Sequence, residues 1–464
     1  IISSDSSGSI RSGSNQFLST NPAQLKIVFR YSIFYALHGI GFICFLHRFT
    51  VLYVFVILVV FYLISLLNES KLNPILTWSF ALVVLFTCDY YRGYRFFEIL
   101  LGKTHWLAIL VDRHRGTLEW QVYFRMIMLR VISFNMDKYW ANNKAKVYDS
   151  SNEYTNRVVQ HLPNEYFGAL SFLSFVLYPV LYIAGPIMTF NCFITQLASP
   201  IRSNNWNEKL YSAFWTMSLM VLMDIMLHYT CLHAVSISYI WEDWEEPWKV
   251  GLVGLWTLQF MFFKFLIFWR FFRTFSLFDN IVPPENMTRC MHSSNTFADF
   301  WRAWHASFNK WTVRYLYVPL GGSKTQKFSI WLIFIFIGLW HDLWWSWVAW
   351  ALMNCLFFTI ELIIAGEWKR SRYNWIRQIP GWELVSLLFT GMNGIFILCS
   401  NLSLVYGFNH MPGFIHSVFF SEGCWKVYLF ILLCIASWCP VQRETRKREG
   451  VCPFAPEPSK VAMQ

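Results

Sequence analysis

Charge is what this chain has least of. Asp, Glu, Lys and Arg together make up 14% of 464 residues, against about 25% in an ordinary soluble domain. So little charge cannot coat a solvated surface, which excludes a soluble multi-domain enzyme and a disordered chain. The eleven cysteines are odd in number and scattered, and no C-x-x-C pair occurs. That excludes a disulfide miniprotein, and zinc ribbons and dithiol redox motifs have no support. The soluble catalytic signatures are also missing: no G-x-S-x-G elbow, no phosphate-binding G-x-x-x-x-G-K-S/T loop, no G-x-G-x-x-G and no H-E-x-x-H. None of the twelve histidines has an aspartate five positions on, so the His-x4-Asp arrangement of one acyltransferase class fails as well. What is abundant is apolar surface: 56% hydrophobic residues, with 45 Phe, 25 Trp and 22 Tyr, and a mean hydropathy of +0.37. The solvent is a bilayer.

The net charge is +11, but Lys and Arg are spread between apolar runs. They read as membrane-surface charge, not as a nucleic-acid footprint, and no nucleic-acid partner is expected. The chain opens on Ile1, as a fragment or a processed chain would, followed by a serine-rich stretch. Residues 1–24 read as a disordered tail, 25–440 as one membrane domain and 441–464 as a basic tail. About 20 apolar residues cross a hydrocarbon core. On that measure residues 31–46, 49–67, 72–88, 210–240, 251–269, 328–364, 384–409 and 427–439 are spans, about 8–12 in total once the longer runs fold back. Residues 89–140 mix apolar side chains with arginines, as interfacial or buried helices do, and 136–165 read as a polar loop. The run 166–197 is interrupted by Pro179, Gly185 and Pro186, and broken helices are tolerated at membrane depth where protein or a cavity surrounds them. The tryptophans of Trp241-Glu-Asp-Trp-Glu-Glu-Pro-Trp248 suit the headgroup region. Asn68, Asn286 and Asn401 carry the glycan-acceptor pattern. The predicted fold is all-α and polytopic, with no visible internal repeat.

Chemistry falls to polar residues in apolar surroundings. In Phe300-Trp-Arg-Ala-Trp-His-Ala-Ser-Phe-Asn-Lys-Trp311, helical spacing puts Trp301, Trp304, Phe308, Trp311 and Tyr315 on one face. Arg302, His305, Asn309 and Thr312 form a strip beside it, and Ser307, Lys310 and Arg314 a third. Spacing alone allows two outcomes. One is an interfacial helix with solvated polar residues. The other turns His305 and Asn309 toward a reaction chamber, with Lys310 or Arg314 toward phosphates. His341 interrupts an apolar run of spanning length, where an ionisable residue marks function more often than not. A histidine out of water stays neutral and can accept a proton; the alternative is a structural histidine in a tryptophan cluster. Asp342 lies about 100° around a helix from it and is no obvious partner. Asp224 and His228, at i and i+4, could relay protons or simply satisfy one another.

Several ordered segments carry a resemblance: Pro283-Pro-Glu-Asn-Met-Thr-Arg-Cys290, Phe300-Trp-Arg-Ala-Trp-His305, Tyr317-Val-Pro-Leu-Gly-Gly322 and Leu339-Trp-His-Asp342, with Tyr182-Ile-Ala-Gly-Pro-Ile-Met-Thr-Phe-Asn191 and Arg130-Val-Ile-Ser-Phe-Asn-Met-Asp137. From about residue 80 onward the chain resembles the membrane-bound O-acyltransferase superfamily, in particular its glycerol uptake branch, related to the Hedgehog acyltransferases. The resemblance implies a many-helix fold with broken or re-entrant helices around a central chamber. Acyl-CoA would enter as co-substrate from the cytosol, with no bound cofactor or metal. It maps the catalytic histidine to His341 and the upstream site, Asn, Asp or His in different members, to His305. It also implies residence in the endoplasmic reticulum membrane, with the plasma membrane a second location, and remodelling of GPI-anchor lipids. One departure is Cys192, where an acidic residue is expected after Phe190 and Asn191.

The sequence therefore predicts an acyltransferase. His341 takes the proton of a lipid or glycerol hydroxyl, and His305 orients the acceptor or stabilises the oxyanion with help from Asn309. Arg302, Lys310 and Arg314 serve substrate binding. The alternatives are a proton-linked glycerol transporter using Asp224, His228 and His341, or a catalytically inactive regulatory member.

Overall fold

The computed structural model describes residues 21–113, 116–143, 153–201, 205–294, 296–368, 370–379 and 382–448. Of the expected terminal segments 1–24 and 441–464, residues 1–20 and 449–464 lie outside the described residues, while Pro22 opens the first helix and the last helix runs to Arg448. Fourteen helices matter here: α1 (Pro22–His47), α2 (Val51–Ser65), α3 (Leu72–Tyr90), α4 (Trp120–Asn142), α5 (Ala169–Val176), α6 (Phe190–Ala198), α7 (Trp206–Tyr229), α8 (Pro247–Phe278), α9 (Phe297–Ala303), α10 (Ala306–Thr312), α11 (Gln326–His341), α12 (Trp345–Trp368), α13 (Trp382–Phe419) and α14 (Trp425–Arg448). No strand occurs among the described residues. Seven of the described helices are long and apolar enough to cross a membrane: α1, α3, α7, α8, α12, α13 and α14. This is an integral, multi-pass, all-α membrane protein.

The arginine-rich stretch holds α4, whose residues from Ile127 to Lys138 are all buried. It is thus a central helix wrapped by others, and its charges are spent inside the protein. Arg130 donates to the carbonyls of Phe175 (3.4 Å), Val176 (2.8 Å) and Tyr178 (3.4 Å). A guanidinium there satisfies the orphan carbonyls at the C-terminus of α5, where Pro179 stops the helix from continuing. This is why the 166–197 run breaks into short pieces. The expected polar loop begins later than residue 136. α4 runs on to Asn142, and Asp137, 1% exposed, belongs to the core for a reason given below. Trp241 departs from its headgroup assignment in the same way: it is fully buried against Tyr406 and Phe414.

The buried apolar residues fall into two clusters. One is built on α1 to α6 with parts of α10 to α12, the other on α8, α9 and α13. Trp301 and Phe358 pack against both. The seam between the clusters is where α9, α10, α11 and α12 meet. The long 328–364 run folds back there as a hairpin, with residues 342–344 joining α11 to α12. Gly338 lets these helices close on each other. A Cβ at that position would stand 3.0 Å from the Ala351 Cβ and 3.1 Å from the Trp347 carbonyl oxygen.

Candidate active site

The segment around His305 is two helices, not the single amphipathic helix that its spacing predicts. α9 ends at Ala303, and α10 starts at Ala306. Between them His305 takes a left-handed conformation, φ 47° and ψ 47°, which costs a non-glycine residue of order 1–3 kcal/mol and persists only when its surroundings enforce it. They do so through Asn286, whose carbonyl oxygen accepts from the Ala306 N–H (2.9 Å) and whose side-chain oxygen accepts from the Ser307 N–H (3.0 Å). Thr288 donates its N–H to the Ala303 carbonyl (3.3 Å), and the Ser307 hydroxyl accepts from the Ile187 N–H (2.8 Å). The 283–290 and 182–191 segments are thus clamps on the His305 turn. Asn286 is completely buried, so it is no glycan acceptor.

α9 is anchored at its other end by a carboxylate that the sequence reading passed over. Glu361 of α12 accepts from the backbone N–H of Phe297 (2.6 Å) and Ala298 (3.3 Å) and from the Asn393 amide (2.8 Å). An ionisable group in a span needs such partners. Here they are orphan donors of a helix N-terminus, where negative charge is favoured.

His341 is the last residue of α11. Its ring lies stacked on Trp347 at 4.7 Å and 16°, and edge-on to Trp340 (4.8 Å) and Trp350 (6.2 Å). Among the described residues neither of its ring nitrogens has a hydrogen-bond partner. The Asp342 side chain accepts from the Trp344 N–H (3.4 Å). The His305 ring packs on Trp269 at 4.4 Å and on Phe308 at 5.2 Å. A line of rings joins the two histidines, since Phe308 stacks on Trp340 at 4.5 Å and Trp340 meets His341.

His305 and His341 line one chamber of about 310 Å³ in the seam, together with Arg302 and Asn309. Its remaining wall is mainly aromatic and aliphatic. Arg302 is 44% exposed and sits 3.5 Å from Asp299. Asn401, another residue with the glycan-acceptor pattern, lines the same chamber.

The structure does not bring Lys310 and Arg314 into this chamber. Lys310 lies over the Tyr154 ring at 5.3 Å. Arg314 is spent on Asp137, at 2.8 Å, with side-chain exposures of 14% and 0%. Asp137 also accepts from the Tyr315 hydroxyl (3.0 Å) and the Asn191 N–H (3.3 Å), and Tyr315 shares a 2.7 Å bond with Ser133. A buried charge requires this kind of pairing. These contacts tie α4, α6 and the segment after α10 into one hub, so the phosphate-binding assignment of Arg314 gives way to a structural one. Asp224 and His228 are both exposed on α7 and line no part of the chamber.

Similarity to known proteins bears on the same residues. The sequence profile of the membrane-bound O-acyltransferase family matches residues 30–403. The chain belongs to that family. It is 33% identical over 365 residues to membrane-bound O-acyltransferase gup1 of Schizosaccharomyces pombe, covering 76% of this chain and 61% of that protein. Against membrane-bound O-acyltransferase GUP2 of Saccharomyces cerevisiae it is 26% identical over 457 residues, 89% of this chain and 72% of the relative. The protein-cysteine N-palmitoyltransferase HHAT of Mus musculus is 27% identical over 200 residues, 41% of this chain and 39% of the relative. The chain spans about three fifths of the length of the first of these proteins. Within the family its likeness is to the Gup1 and Gup2 branch, as the resemblance implied.

Proposed function

We propose that the protein transfers a long-chain acyl group from acyl-CoA to a hydroxyl of a lipid or of glycerol. The observation that carries this is the pairing of His341 and His305 on one largely apolar chamber inside a member of an O-acyltransferase family. His341 is the general base. Its ring is held by Trp347 while its nitrogens are committed to no other described residue, which leaves one to take a proton. As the acceptor O–H bond breaks toward His341, the oxygen attacks the thioester carbonyl carbon. The tetrahedral intermediate then collapses, the C–S bond breaks, and coenzyme A leaves as the thiol with the proton that His341 received.

His305, fixed by the Asn286 clamp, orients the acceptor, with Asn309 one turn further along α10. Donor phosphates fall to Arg302 in this reading, supported by its being a partly exposed cation in the chamber lining. General-base help of this kind contributes roughly 10²–10⁴-fold, and alignment of two substrates in a dry chamber adds several kcal/mol. The branch resemblance supports a GPI-anchor lipid as the acceptor and the endoplasmic reticulum membrane as the location. The name HHAT belongs to a palmitoyltransferase, which supports a long-chain donor.

Purified protein in liposomes, given palmitoyl-CoA, lysophosphatidylinositol and glycerol, tests this. Acyl transfer without glycerol flux is the expected result. Glycerol flux without acyl transfer would replace the enzyme with a transporter.

A further inference from the structure

α7 is the least enclosed of the seven described spans, with only 11% of its most apolar stretch buried. It runs antiparallel along α8. The Ser212 and Thr216 hydroxyls share bonds of 2.7 and 3.1 Å with the Thr274 hydroxyl, and Lys209 donates to Asn280 (2.7 Å). Eight residues past Thr216, or about 12 Å further on, Asp224 is level with about residue 266, near the middle of α8. Asp224 and His228 are exposed there. Among the described residues neither has a hydrogen bond or ion pair, with one another or with Lys264, the exposed cation at that level of α8. The hollow of about 20 Å³ between α7 and α8 is lined by neither. An aspartate is too short to reach headgroups about 15 Å away, and ionisable residues at such depth face protein or water, not lipid. The backbone makes the same demand. α7 stops at Tyr229, Thr230 is extended (φ −125°, ψ 125°), and a short helix, Leu232–Ser238, follows. Tyr229, Thr230 and Cys231 are all exposed, yet irregular backbone at membrane depth is tolerated only against protein or a water-filled cavity.

The outward face of α7 carries a seam of its own. Leu210, Phe214, Met217, Val221, Asp224 and His228 follow one another at alternating steps of four and three residues, the heptad spacing of a helix that packs on another helix. All six are exposed, and their stripe lies opposite the one that meets α8. We propose that this face pairs with α7 of a second copy of the chain. Copies inserted in the same sense are related by a two-fold axis along the membrane normal, so their α7 helices run parallel and each seam meets itself. The apolar layers from Leu210 to Val221 interdigitate, and Asp224 of one copy lies one turn from His228 of the other. Two such pairs form across the axis, each imidazole N–H donating to the facing carboxylate. This charge complementarity singles out a second copy, since a seam with one sign of charge would need a different protein. Polar residues at seam positions also fix register, which holds the two breaks at Thr230 against each other and out of the lipid.

The whole chain in liposomes tests this. A photo-crosslinking amino acid at Val221 should join two copies into an adduct of twice the mass of the chain, and the same group at Val56, exposed on α2, should not. Photobleaching of singly labelled protein at falling protein-to-lipid ratios gives the dimer dissociation constant. Asp224→His sets imidazole against imidazole, and His228→Asp sets carboxylate against carboxylate. Each should raise that constant about tenfold, the combined effect of two interhelical polar pairs. The exchanged pair, Asp224→His with His228→Asp, should restore it. Monodisperse elution of each variant certifies its fold, and the Val221 adduct decides even where a single variant fails to accumulate. Single-step bleaching of wild type at every density overturns the proposal, as does a Val221 adduct with another protein, with lipid alone or within one chain. Single variants that dissociate no more readily than wild type, or an exchanged pair as weak as either, overturn the Asp224–His228 pairing.

Discussion

Replacing His341 by alanine separates a catalytic histidine from a structural one, because the two losses differ in size. The imidazole makes no hydrogen bond to another described residue, so no buried partner is orphaned by its removal. What goes is the stacking on Trp347 at 4.7 Å and the edge contact with Trp340 at 4.8 Å, each worth about 0.5–1.5 kcal/mol. Alanine suits the last helical position. The stability cost is therefore about 1–3 kcal/mol, which a protein with two large apolar clusters withstands. The loss of a general base, about 10²–10⁴-fold, corresponds to roughly 3–5 kcal/mol on the barrier. His341→Ala should accumulate in membranes, still bind acyl-CoA, and transfer acyl groups at least about a hundredfold more slowly. The measurement is single-turnover transfer from labelled palmitoyl-CoA, normalised to monodisperse protein. Near-wild-type rates from well-folded His341→Ala would refute the assignment. Poor accumulation with normal turnover per folded molecule would make His341 a packing residue.

Three further outcomes follow from the geometry. His305→Ala should lower turnover but leave more activity than His341→Ala, since orientation is more replaceable than proton removal; equal and complete loss in both would indicate one coupled dyad. Asp137→Ala leaves Arg314 buried without its partner and should destabilise the fold by about 3–5 kcal/mol, read as lost membrane accumulation and a lower unfolding temperature, while Asp137 and Arg314 both replaced by apolar residues should recover much of it. The cations between residues 443 and 448 resist translocation, so a C-terminal tag should be cleaved by protease added to the cytosolic side of sealed microsomes.

Apolar run length gave most of the spans their place, because a bilayer imposes the same length requirement on every lipid-facing helix. α3, α7, α8, α12 and α13 lie where apolar runs predict them. Charge inside a run carries less information. The arginines of residues 89–140 fit interfacial or buried helices alike, and only the packing of α4 shows that Arg130 caps α5. Period also misled at one point. The 300–315 stretch has helical spacing throughout, yet the chain turns at His305, because Asn286 and Ile187 satisfy backbone and side-chain groups there from far away in sequence. No local signal announces a left-handed histidine.

The same limit explains which candidate site residues were legible. His341 could be seen because a titratable side chain in an apolar run is conspicuous by its cost. Trp301 and Trp350, which also line the chamber, could not, since in a chain with 25 tryptophans nothing in sequence separates an indole that lines a chamber from one that packs elsewhere. Arg314 shows the converse. Its charge and its place beside the His305 segment point toward phosphates, but its partner, Asp137, lies 177 residues earlier in the chain. Where a charge is buried, the identity of its partner decides its role, and that partner is fixed by the packing of α4 against the segment after α10. The arrangement of residues around this chamber is therefore set by pairs of distant residues. A substitution at Asn286 or Glu361, neither of which lines the chamber, acts on His305 by moving the backbone that presents it.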